Sequence, residues 1–402
     1  MLRYFSFIFI FLITNLKAYQ IKYDPNIEDE LSTRYSIRTI CPIKEDSDDE
    51  AGEEEEAAPP IELNLTFEGP TYYDQGDTDA CTFFARVCGM LLNERGRDHL
   101  QSLFLGQDDH FVYVKFPTPR PFGIAHIYEV EQNASLLFIQ GINHVEFLRD
   151  TVFKVSKSVV MEHKPTSDFA QTPHWFKILA AAYHDAFQTI SGEEDPEGFC
   201  TNDFQYNFGY LDDESKVRSQ TVLEILTGKS QMPRINIKAE FEQKTLLIDL
   251  QELMGKPLLN TRIGLHHVRA ICLSNDRLEL FDSQSKEKGV VTSKMFDARV
   301  TSDQIKDFIT RSQDLVVRFH ALNDEKNAAG IHEAVPVDTQ NRIDTALESC
   351  ITEIKVISEQ LIPSMETYES INISQLPIEE AWTRLYAEMI EGCFFGIQVL
   401  DL

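Results

Sequence analysis

Basic side chains are scarce in this 402-residue chain: 37 Lys and Arg stand against 65 Asp and Glu, a net charge of −28. Phosphate binding needs clustered cations, so nucleic acid is not an expected partner. The acidic excess suits a chain that works alone or on neutral to basic polypeptides. Long apolar runs are missing too, with one exception. Tyr4 to Thr14 is almost wholly apolar, follows a short basic start at Leu2-Arg3, and precedes Ala18 at a cleavage-like position. The run is short for a membrane span and reads as a secretory signal over residues 1–18, which implies an exported or secreted protein without stable membrane insertion after its removal. An uncleaved anchor is the alternative. No Cys-x-x-Cys pair occurs among the seven cysteines Cys41, Cys81, Cys88, Cys200, Cys272, Cys350 and Cys393. A thiolate zinc site is therefore not expected, and no metal ligand set is assigned. An odd count in an exported chain allows up to three bridges and one free thiol. No internal repeat is present, and sequons occur at Asn64, Asn133 and Asn372.

What is present divides the chain. Residues 44–60 form an acidic tract ending in Pro59-Pro60. Such a run buries nothing and reads as a disordered linker closing an N-terminal segment at 19–60. From Ile61 to about 330 the pattern is mixed. Trp175, Ile178, Leu179, Ala182, Tyr183, Ala186, Phe187 and Ile190 recur at helical spacing. Thr221 to Leu226 reads as a short helix ending at Gly228, while Val268–Leu273, Leu278–Phe281 and Leu315–Phe319 read as strands. Helices first and strands later predict an α+β domain. In the tail, 331–402, Asp338 is an expected N-cap for a helix carrying Ile343, Leu347, Cys350, Ile354 and Leu361. A second helix is expected from Pro377, with Trp382, Leu385, Met389 and Cys393 on one face. Together they predict a C-terminal helical hairpin that packs on the preceding domain, on a second copy or on another protein.

The chemistry-bearing stretch is Gln75-Gly-Asp-Thr-Asp-Ala-Cys81, followed by the apolar segment Thr82–Leu92. A cysteine opening a helix has its thiolate favoured by exposed N–H groups and the macrodipole. A glutamine amide six residues upstream can donate to the oxyanion formed when that thiolate attacks a carbonyl. Downstream, Gly264-Leu-His266-His267-Val-Arg-Ala-Ile271 puts a histidine at the start of a strand, and Asp282 follows the next strand, 15 residues after His267. A turn over Ser274-Asn-Asp-Arg277 would bring those strand ends together, so that Asp282 orients the imidazole toward Cys81. His266 competes with His267 for the imidazole role.

The order and spacing of Gln75, Cys81, His267 and Asp282 resemble papain-like cysteine peptidases. Within that clan the chain looks most like calpain-type catalytic domains. His174-Trp-Phe-Lys-Ile-Leu-Ala-Ala-Ala-Tyr183 resembles their W-x-x-L-L-E-K-A-Y helix, and Thr221-Val-Leu-Glu-Ile-Leu-Thr-Gly228 resembles their A-L-x-D-L-T-G segment. His267-Val-Arg-Ala-Ile271 is closest to their H-A-Y-S-V strand, which favours His267 over His266. The likeness spans roughly residues 65–320, in these islands. It implies a papain-like α+β fold, with a helical subdomain carrying the cysteine and an antiparallel sheet carrying His and Asp, extended by C-terminal helices. It implies a cysteine-type endopeptidase acting on polypeptide substrates, with Cys81, His267 and Asp282 catalytic and Gln75 in the oxyanion hole. No cofactor is assigned; calcium is possible by the resemblance alone. The sequence departs from the family at Asp79-Ala80 before the cysteine, at Thr82 after it, and at Asp282-Ser-Gln, where an aromatic is lost. Those departures favour one alternative, a catalytically inactive papain-like binding module; two others are a transglutaminase-like acyl transferase, which uses the same Cys–His–Asp order, and a structural or adhesion protein with every cysteine bridged.

Overall fold

A computed structural model of the chain describes residues 21–41, 63, 67, 73, 81–92, 94–118, 144–162, 172–191, 225–228, 234–236, 257–262, 267–274, 277–282, 290–291, 293–330, 337–364, 366–392 and 396–399. The expected signal, the acidic tract, Gln75 and His266 lie outside these residues. In chain order the elements are α1 (Ile27–Ser32), β1 (Ser36–Ile40), α2 (Cys81–Leu91), α3 (Glu94–Ser102), β2 (Phe104–Gln107), β3 (Phe111–Val114), α4 (His144–Asp150), β4 (Thr151–Ser156), α5 (Val159–Glu162) and α6 (His174–Ser191). They continue with β5 (Arg234–Asn236), β6 (Pro257–Arg262), β7 (His267–Ser274), β8 (Arg277–Phe281), α7 (Ser302–Gly330), α8 (Val337–Leu361), α9 (Ile378–Glu391) and β9 (Gly396–Val399). The architecture is mixed α+β, as expected. The chain forms two compact units: Met1–Gly69, Arg97–Glu197 and Glu224–Gly228 in one, and Pro70–Gly96, Gly198–Leu223 and Lys229–Leu402 in the other.

The first unit holds a sheet of order β1-β4-β3-β2, with β1 parallel to β4 and the other pairs antiparallel. This corrects the expectation of helices first and strands later, because four strands precede α6. α6 packs on β1, β3 and β4. Its buried stripe is the one the spacing predicts, with Trp175, Ile178, Leu179, Ala182, Tyr183 and Ala186 excluded from solvent. Trp175 stacks on Phe67 at 4.4 Å between ring centres and meets Phe104 edge-on at 6.4 Å. Residues 225–227 are helical, and Gly228 ends them at φ 67°, with a hypothetical Cβ 3.0 Å from the Thr118 carbonyl oxygen. Both the left-handed backbone and the close approach call for glycine there.

The second unit is built on an antiparallel sheet of order β5-β9-β6-β7-β8. α2 packs on β6, β7 and β8, and every residue from Phe83 to Leu91 is buried. A helix that is apolar nearly all round must be enclosed in this way. Leu315–Phe319 is helical and belongs to α7, which corrects the strand expected there. Ile305, Phe308, Ser312, Val316 and Phe319 are buried at intervals of three and four residues, the helical period. α7 pairs with α8, and α9 packs on both and on β8. The tail is therefore more than a two-helix hairpin: α7 makes a third helix, and β9 pairs with β5 and β6. Asp338 lies in the first turn of α8, which starts at Val337, so it is not the N-cap; Pro377 is the N-cap of α9. The link between those helices is fastened to residues 296–298 by Ile371 N donating to Phe296 O (2.8 Å) and Ala298 N to Glu369 O (2.9 Å).

Cys41, Cys88, Cys272 and Cys350 are unbridged. With seven cysteines in all, at most one bridge remains possible, among Cys81, Cys200 and Cys393. This corrects the allowance of three bridges and removes the reading in which every cysteine is bridged. Three of the four unbridged cysteines are buried on different elements: Cys88 in α2, Cys272 in β7 and Cys350 in α8.

Candidate functional site

α2 begins at Cys81. Its first-turn N–H groups have no intrahelical acceptors, so the backbone at this point favours a negative charge. Cys88, two turns on, sits where burial pushes its thiol well up, so it is an inert core residue. β7 begins at His267, whose backbone is in register with Arg262 of β6. β8 ends at Phe281, opposite Ala270, and Asp282 follows. Because β7 and β8 are antiparallel, the start of one and the end of the other lie at the same end of the sheet. The Cys81 thiol and the His267 imidazole fall outside the described side chains, as do Gln75 and His266, so the contact geometry of the expected triad is not part of the described structure.

The Asp282 carboxylate is described, and its partner is a residue the spacing did not single out. Asp282 Oδ2 lies 2.7 Å from Arg269 Nε, with side-chain exposures of 6% and 4%. Arg269 Nη1 donates to Glu388 Oε2 at 2.7 Å, and Glu388 on α9 is 3% exposed. Burial opposes the guanidinium charge, but Glu388 and Asp282 outweigh it and hold Arg269 above its ordinary value. One guanidinium thus faces two carboxylates in a dry setting. The hint in the sequence was an arginine inside an apolar strand, since Arg is almost never fully buried unless paired. A glutamate flanked by Trp382, Leu385 and Met389 gave the complementary hint.

Around this triad the charged groups are largely committed. Lys294 Nζ pairs with Glu391 Oε1 at 2.6 Å, and Glu391 also accepts from Ser358 Oγ at 3.1 Å. Arg384 donates to the Met295 and Val300 carbonyl oxygens, both at 2.8 Å. Cys272, on β7, has its thiol pushed up to about 11 by burial and by the Glu279 charge. Among the described residues no group of three or more His, Cys, Asp or Glu could hold a metal ion, and no helix is long and apolar enough to cross a membrane. Comparison with protein-family models, with curated proteins and with solved structures found no match.

Proposed function

We propose that the chain is a cysteine-type endopeptidase of papain-like fold. The reading rests chiefly on one arrangement: a helix that begins at Cys81 packs on β7 and β8, and His267 opens β7 at the end of the sheet where Asp282 follows β8. In this reading the Cys81 thiolate attacks the scissile carbonyl carbon, and the resulting oxyanion accepts a hydrogen bond from the Gln75 amide. His267 then gives its proton to the leaving amine. The thioester that remains is hydrolysed by a water from which His267 takes a proton, and Asp282 stabilises the imidazolium throughout. In this reading polypeptides are the substrates, and the N-terminal signal directs export.

Cys81→Ala is expected to abolish hydrolysis of an unstructured protein substrate while leaving the thermal unfolding transition in place. Retained turnover in that variant would sink the reading. Release of ammonia from a glutamine peptide plus an amine would instead support acyl transfer. A second reading, an inactive papain-like module that binds another protein, draws support from the Arg269 pair, since a carboxylate already neutralised in the core can be purely structural. Rapid, His267-dependent alkylation of Cys81 separates the two.

A further inference from the structure

The triad joins an element that the endopeptidase reading does not use, the C-terminal helix α9, to a residue that it does use, Asp282. Glu388 and Asp282 compete for one guanidinium: Arg269 Nη1 donates to Glu388, and its Nε faces Asp282. A guanidinium engaged by a single carboxylate would neutralise it. Sharing the guanidinium with Glu388 leaves part of the Asp282 charge for another cation, and His267 lies two residues before Arg269 on the same strand. We propose that Glu388 is a positioning residue, which draws Arg269 toward α9 and thereby leaves the Asp282 carboxylate able to support a His267 imidazolium. This rests on the endopeptidase reading and deepens it, because it makes the C-terminal helix part of the catalytic apparatus. Other titratable or charged groups on the packed elements include Arg86 on α2, Arg262 on β6, Cys272 on β7, Arg277 and Glu279 on β8, and Glu380, Arg384, Tyr386 and Glu391 on α9, with Lys294 paired to Glu391.

The test is a double-variant cycle read by iodoacetamide. The full chain, its Glu388→Gln and Arg269→Met variants and the double variant are alkylated across pH 4 to 10. Labelling is mapped by mass spectrometry at Cys81, and at Cys88 and Cys272 as reporters of core opening. Glu388→Gln is expected to raise the pH midpoint of Cys81 alkylation by about one unit, a roughly tenfold loss of rate below the midpoint. In the Arg269→Met background the same substitution should change nothing, because Glu388 acts through Arg269. A purely structural role would instead expose Cys88 and Cys272 and show no such coupling. If Glu388→Gln does not fold, the double variant is compared with the full chain directly. Removing a buried guanidinium with its carboxylate is often tolerated, and its midpoint should lie at or below that of the full chain; a higher one overturns the inference. An unchanged midpoint in a folded Glu388→Gln, with Cys81 activated in the full chain, overturns this inference alone. An ordinary thiol midpoint near ~8.5 at Cys81 in the full chain would remove the endopeptidase reading, and the inference with it.

Discussion

Asp297 shows what one buried carboxylate does here. Its side chain is fully enclosed, and its two oxygens accept from Arg299 N (2.9 Å), Arg299 Nε (2.8 Å), Arg299 Nη2 (2.6 Å) and Glu369 N (3.0 Å). The Arg299 side chain leads in holding the Asp297 carboxyl's pKa well below the ordinary carboxylate range. A carboxyl group depressed in the folded state contributes stability that is complete above its unfolded value, about 3.9, and is lost as pH falls through the folded one. Asp297→Asn should therefore lower the urea midpoint at pH 7, by the equivalent of about 2 kcal/mol, and flatten its decline below pH ~4. An unchanged acid limb would show that Asp297 is not a main contributor. The thiols give a second check at this scale. At pH 8 without reductant, iodoacetamide should reach exposed Cys41 in the folded chain, but Cys88, Cys272 and Cys350 only after denaturation. Reactive Cys272 in the native state, or bridged cysteines at any of the four, would contradict the structure.

α9 carries several long-range polar contacts, to Arg269, Ser358, Lys294, Met295 and Val300. Arg384 is 4% exposed and reaches two backbone carbonyls that precede α7, at Met295 and Val300. Arg384→Leu removes these hydrogen bonds, with those to the Asp297 carbonyl (3.5 Å) and the Glu380 carboxylate (3.2 Å), and leaves buried carbonyl acceptors unsatisfied. A loss of about 3 kcal/mol is expected, read as a lower chemical-denaturation midpoint with the helical signal retained. An effect below about 0.5 kcal/mol would place Arg384 among ordinary surface residues. Sequence pattern revealed α6, α8, α9, β7 and β8, because each is long or regular enough for its apolar period to show. It failed at Leu315–Phe319, where five residues are too few to tell a strand from a buried helical stretch. The longer interval from Ile305 to Phe319 carries the helical period. β1 was missed because most of its side chains are not buried, leaving little alternation to read. Arg269 and Glu388 are 119 residues apart in sequence, so pattern could mark each as unusual without joining them. The backbone positions of Cys81, His267 and Asp282 were legible because capping chemistry and strand limits are local; the carboxylate's guanidinium partner was not.

For the whole molecule, the decisive fact is how the chain is shared between its two compact units. It passes from one to the other five times, at 69/70, 96/97, 197/198, 223/224 and 228/229. The break expected near residue 330 would cut within a single unit, since Lys229–Leu402 holds the antiparallel sheet and the C-terminal helices together. That long segment still lacks α2, whose buried Phe83, Phe84, Val87, Met90 and Leu91 belong to the helix packed on β6, β7 and β8. Five such side chains contribute on the order of 10 kcal/mol as an upper estimate, comparable to the whole stability of an ordinary domain. Residues 229–402 expressed alone should then lack a cooperative unfolding transition and expose Cys272 to iodoacetamide. Joining residues 70–96 to them through a flexible linker should restore both cooperativity and protection. A fragment 229–402 that already unfolds cooperatively with Cys272 protected would show that α2 is an accessory to this sheet, and would weaken the reason for expecting Cys81 to sit against it.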